Sequence, residues 1–148
     1  EYITEKLKVS KNQNQYNYYP KTREELEDLV FLLLNERGWE ADLNDIDTSN
    51  IIDMSHLFAR RSKLNCNISG WDVSNVTNMC EMFNGCKSFE GKGLENWDVS
   101  NVTNMEYMFY KCKKLDCDLS NWDVSNVKEY YHIFFKCPIK DEYKPKFR

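Results

Sequence analysis

The phrase Trp71-Asp72-Val73-Ser74-Asn75-Val76-Thr77-Asn78-Met79 returns unchanged at residues 97–105, 26 residues later. It comes back eroded at 122–130, where Lys128, Glu129 and Tyr130 replace its last three residues, and a degenerate copy at 46–54 lies one period upstream. Self-similarity at this period marks stacked supersecondary units, and it outweighs window-by-window propensity. Aligning the copies gives columns: Leu43, Ile68, Leu94, Leu119; Ile46, Trp71, Trp97, Trp122; Ile51, Val76, Val102, Val127; Met54, Met79, Met105, Tyr130. Leu57, Met82, Met108, Ile133, then Phe58, Phe83, Phe109, Phe134, then Arg61, Cys86, Cys112, Cys137 complete the set. No copy can bury its Met and Phe alone; stacked copies bury them as one continuous ladder.

Met79, Met82, Phe83 and Cys86 fall at i, i+3, i+4 and i+7, the spacing of one face of a helix. The segment before each Trp is short, with an apolar residue between polar ones, and reads as a strand; successive strands would stack in parallel about 4.8 Å apart. The expected fold is therefore an α/β repeat solenoid, with a short parallel strand and a short helix per turn of about 25 residues. Ahead of the repeats, Thr22-Arg23-Glu24-Glu25 is a capping box. Leu26, Leu29, Val30, Leu33 and Leu34 form one apolar helical face, and Gly38 is placed to end the helix. Because a solenoid has open ends, this helix is expected to cap the first turn. The divisions are an N-terminal arm at 1–19 (strand-like to Val9, then a loop), the capping helix at 20–39, four turns at 40–139, and a tail at 140–148. That tail either frays or lies over the last turn.

Composition narrows the function. With 41% apolar and 14% aromatic residues the chain is not disordered, and its net charge of −4 argues against a protein that coats nucleic acid. The longest apolar run, 29–34, is too short to span a membrane, and no signal peptide is visible.

At the repeated phrase, followed by Met82-Phe83-Asn84-Gly85-Cys86-Lys87-Ser88-Phe89, the sequence resembles the BspA-like leucine-rich-repeat surface proteins. The closer likeness is to their 25-residue variant in mycoplasma lipoproteins, and the helix with Ala41-Asp42-Leu43-Asn44-Asp45-Ile46-Asp47 is similar to the family's opening segment. The resemblance implies a leucine-rich-repeat-like solenoid, surface display, a role in adhesion or host contact, and no enzyme activity.

Residues with chemical potential read mostly as structure. Cys86, Cys112 and Cys137 share an inward column and act as small buried hydrophobes; a disulfide and a zinc site are the alternatives. Cys66 and Cys117 skip a turn and lie too far apart to bridge. Asp47, Asp72, Asp98 and Asp123 form an acidic column that either accepts from the Ser two residues on or binds calcium. Asn50, Asn75, Asn101 and Asn126 are expected inward, satisfying backbone groups at the bend. His56 and His132 are too far apart to share a metal.

Binding residues are expected where the repeat varies. Arg60, Lys111, Lys113 and Lys136 make a basic stripe past each helix, and Tyr107, Tyr110, Tyr131 and Phe135 crowd the outward faces of the last two turns, unless the tail covers them. Exposed aromatics together mark a contact surface. The expectation is a non-catalytic interaction scaffold with a protein or glycan partner, no nucleic acid, no cofactor and no metal. A cytoplasmic partner-binding module of inhibitor or immunity type and a calcium-stabilised repeat are the alternatives. The open aromatic end also makes an end-to-end homodimer an expectation. Localisation stays divided: cell surface or secreted by the resemblance, cytoplasmic by the unpaired cysteines and absent signal.

Overall fold

The computed structural model describes residues 16–148; the expected strand-like arm at the start of the chain lies outside them. Its α-helix, α1 (Arg23–Arg37), forms as the sequence dictates. Thr22 Oγ1 accepts from the Glu25 amide at 3.1 Å, and Glu25 Oε1 accepts from the Lys21 amide at 2.9 Å. Gly38, at φ 93°, ends the helix by donating to the Leu34 carbonyl. Leu26, Leu29, Val30, Leu33 and Leu34 are all buried. α1 caps the first coil: Arg23 forks onto Glu27 and donates through Nε to the Ser55 carbonyl at 2.6 Å, while Arg61 lies over the Phe31 ring.

Below the cap the chain is mostly irregular, yet its copies lie directly above one another. The Phe58, Phe83, Phe109 and Phe134 rings stack at centroid spacings of 5.5, 5.5 and 5.7 Å, with planes within 8°. The Trp column is tied in by hydrogen bonds. Trp71 Nε1 donates to the Leu43 carbonyl (2.9 Å), Trp97 to Ile68 (3.1 Å) and Trp122 to Leu94 (2.8 Å), each a carbonyl of the preceding coil. An indole N–H buried without an acceptor would cost roughly 1–3 kcal/mol; each Trp avoids this by pinning its coil to the one before.

The expected repeat helix and strand are both corrected. Residues 79–86 do present Met79, Met82, Phe83 and Cys86 inward, all fully buried, but without α-helix. Alternate amides close tight turns (Met82 to the Met79 carbonyl, Asn84 to Glu81, Cys86 to Phe83). The amides between them leave the coil: Met79 donates to Asn104 O, Glu81 to Glu106 O, Phe83 to Met108 O and Gly85 to Tyr110 O, at 2.8–2.9 Å. The same spacing of apolar residues therefore serves a different use of the backbone. Nor is a sheet formed among the described residues. Parallel pairing is confined to isolated bridges, and the longest run of them, Asp53–Asn78–Asn104–Glu129, lies near the end of the repeated phrase rather than ahead of its Trp. Ahead of Trp97 stands a 3₁₀ turn, Leu94–Asn96.

The ends are finished differently. Tyr18, expected in a loop, is buried and pairs in parallel with Ile46, adding a rung beside α1. The tail lies over the last coil: Tyr143 O accepts from the Leu119 amide at 2.8 Å, Phe147 stacks on Tyr130 at 4.4 Å, and Ile139, just ahead of the tail, is buried. No helix among the described residues is long and apolar enough to cross a membrane.

Candidate functional site

The turn at residues 56–60 and its copies at 81–85, 107–111 and 132–136 each hold two residues in the left-handed region of backbone space. One column is His56, Glu81, Tyr107 and His132; the other is Arg60, Gly85, Lys111 and Lys136. Reversal at these positions lets the backbone alternate between closing its own turn and bonding the next coil. A non-glycine residue there costs roughly 1–2 kcal/mol, so the side chains of Tyr107, Lys111, His132 and Lys136 are held against a local penalty. Retained backbone strain of this kind clusters at functional sites.

Those residues frame one surface. The Tyr107 ring meets Tyr110 at 5.3 Å and Tyr131 at 5.7 Å, both edge to face, and Tyr110 stacks on Phe135 at 5.7 Å. Tyr131 and Phe135 are 59% and 43% exposed, and Tyr107 and Tyr110 are half-buried. His132 fills the middle, 3.9 Å from the Tyr131 ring and 4.4 Å from Phe135. Sequence reasoning passed over it by treating His only as a metal ligand; its place in the column of Tyr107 was the available signal. Lys111 lies over the Tyr110 ring and Lys136 over Phe135, so the cations border the aromatics. The tail covers Tyr130 and Phe134 instead, leaving this wall open.

The basic stripe does not run the length of the molecule. Arg60 shares the column of Lys111 and Lys136, but Gly85 stands between them and interrupts the charge. Lys113 lies apart, in a cleft with Glu90, Lys114, Asp116 and Lys140. Of the eight expected binding residues, Tyr107, Tyr110, Tyr131, Phe135, Lys111 and Lys136 come together, and Arg60 and Lys113 do not.

The remaining ladders are occupied by the fold. Asp72, Asp98 and Asp123 each accept from the amide (3.0 Å) and hydroxyl (2.6 Å) of the Ser two residues on. The hydroxyl and then the amide of that Ser hold Asp98 and Asp123 below the usual aspartate range. Asn75, Asn101 and Asn126 donate to the carbonyls of Ser49, Ser74 and Ser100 at 2.6–2.7 Å. They do so on the surface, not inward as expected, because the bend places that carbonyl at the rim. All six cysteines are free. Cys86 and Cys112 donate to the Phe58 and Phe83 carbonyls at 3.1 Å. Burial pushes the Cys66, Cys86 and Cys117 thiols up to about 12, which keeps them protonated and unreactive at neutral pH. No cluster of three or more metal-ligating side chains occurs among the described residues.

No curated protein and no solved structure matches the chain. Residues 27–144, from within α1 to the tail, match the model of a family described as "Mycoplasma protein of unknown function, DUF285". That span takes in every stacked coil, and the chain belongs to the DUF285 family.

Proposed function

We propose that this protein is a non-catalytic interaction scaffold, a leucine-rich-repeat-like solenoid of the BspA type that binds a protein or glycan through the wall described above. The observation that carries the reading is the contiguous exposed cluster of Tyr107, Tyr110, Tyr131, His132 and Phe135, bordered by Lys111 and Lys136. Tyrosines offer large, rigid, amphipathic area at low entropic cost, and flat rings suit a sugar face or an apolar side chain. The lysines would favour an acidic partner and speed its arrival. Display at the cell surface, in adhesion or host contact, is the setting the family resemblance supports. A second setting, partner binding in a reducing compartment, is supported by the six free thiols. The calcium-stabilised reading draws less support, since each Asp of the repeated phrase already accepts from its own Ser.

The test is recovery of partners from cell-surface extracts by the wild type, by Tyr131→Ser/Phe135→Ser, and by Lys111→Glu/Lys136→Glu. The proposal expects the aromatic variant to lose a specifically recovered partner and the charge-reversed variant to weaken it at least ten-fold, with melting temperatures nearly unchanged. Equal recovery by all three would refute it.

A further inference from the structure

In the turn half of each coil the hydrogen bonds between coils run one way, whereas elsewhere others run back, as from Thr77 to Ile52 O, Thr103 to Thr77 O and Lys128 to Thr103 O. The Met54 amide donates to Asn78 O; the N–H of that peptide's other half, on Met79, donates to Asn104 O; Met105 N–H then donates to Glu129 O. Three further strings run beside it: His56 to Cys80 O, Glu81 to Glu106 O, Tyr107 to Tyr131 O; Phe58 to Met82 O, Phe83 to Met108 O, Phe109 to Ile133 O; Arg60 to Asn84 O, Gly85 to Tyr110 O, Lys111 to Phe135 O. In an ordinary sheet strand dipoles alternate and nearly cancel. Here every peptide in a string points its carbonyl toward α1 and its N–H toward the tail, so the dipoles add as they do along a helix.

Each string stops at an open donor. The amides of Tyr130, His132, Phe134 and Lys136 find no acceptor among the described residues. The tail covers the ring of Phe134 with Lys144 and the ring of Tyr130 with Phe147, but none of its carbonyls turns back to this row. At the opposite end α1 lies over the first coil, with Arg23 on the Ser55 carbonyl.

We propose that this row of four amides is a docking edge for a segment of another polypeptide bearing the same Met-x-x-Met-Phe turn motif, which adds to the stack as one more coil. The row asks for carbonyls at every second residue, all facing one way. A plain β-strand cannot meet it, because its edge offers N–H and C=O together and would set donor against donor. A second intact copy cannot meet it either: its carbonyl end is covered by α1, and two tail ends brought together would again oppose N–H to N–H. The segment that meets the row inside this molecule is the repeat turn itself, as residues 104–110 do for the coil before them. This edge faces along the stack and uses backbone amides; His132 and Lys136 lend it their N–H groups while their side chains belong to the aromatic wall.

The experiment uses the full chain, labelled with nitrogen-15, and a synthetic peptide of residues 103–113 carrying Cys112→Ser as the probe, beside a scrambled peptide. In the free protein the Tyr130, His132, Phe134 and Lys136 amides should exchange with solvent at least ten-fold faster than those of Tyr107 and Phe109. The repeat peptide should bind one to one, with a dissociation constant below about 1 mM, and slow exchange at those four amides at least ten-fold; the scrambled peptide should not. The Tyr107→Ala/Tyr110→Ala variant should bind the peptide as the wild type does, which separates this edge from the wall. Four results overturn the proposal: no binding, protection of the row in the free chain at any dilution, protection that grows with protein concentration and so reports a second copy, or shifts confined to the wall.

Discussion

A single indole nitrogen shows what holds one coil to the next. Trp97 Nε1 reaches the Ile68 carbonyl from a ring 4% exposed. Trp97→Phe removes that buried bond and part of the indole's packing, leaving the carbonyl with the Trp71 amide alone, and should cost roughly 1–3 kcal/mol. Asn101→Ala removes a bond that is as short but water-accessible, and should cost no more than about 1 kcal/mol; chemical denaturation of the two variants checks the order. The left-handed lysines behave oppositely. Lys111→Gly relieves a strained backbone but loses a cation over Tyr110, terms of about 1–2 and 0.5–1 kcal/mol respectively. It should therefore leave the denaturation midpoint equal or slightly higher while weakening partner binding; a clear loss of stability would show that Lys111 serves the fold. The fully buried columns were legible from the aligned copies, because burial follows from repetition. The role of His132 was not, because it comes from two neighbouring coils meeting at one point.

Among elements, α1 was readable in full, since its cap, apolar face and terminal glycine are all local signals. The repeat turn was not. Helical spacing reports only which side chains point inward, and residues 79–86 satisfy it with alternate amides bonded across coils. The telling residues were Glu81 and Gly85, whose left-handed backbone breaks a helix, and only the glycine announces this in sequence. The Asx turns carry the pH response of these elements. Asp98, Asp118 and Asp123 sit below the ordinary aspartate range because the hydroxyl and amide of the following Ser favour the carboxylate. A depressed folded-state pKa means that the unfolded chain binds the proton first. The stabilisation is thus present above about pH 4 and is lost as pH falls through the lower folded value. The triple variant Asp98→Asn/Asp118→Asn/Asp123→Asn should lose less stability than the wild type between pH 6 and pH 3 in urea titrations. Parallel losses would mean that these turns do not set the acid limb.

For the whole molecule, stacking makes cohesion a nearest-neighbour property, carried by the Phe column, the Trp bonds and the four aligned peptide strings. Those strings share a direction, with a covered carbonyl end under α1 and an open amide end beside the tail. The sequence disclosed the stack but not its polarity, because polarity depends on how each peptide plane is turned, and side-chain spacing carries no trace of that. The most direct check is NMR detection of scalar couplings through hydrogen bonds in labelled protein. Couplings should run from the Met79, Glu81, Phe83 and Gly85 amides to the carbonyls of Asn104, Glu106, Met108 and Tyr110, one coil onward. Couplings from residues 83–86 to carbonyls four residues back would instead make the turn an α-helix and contradict the coil-to-coil turn strings on which the account rests.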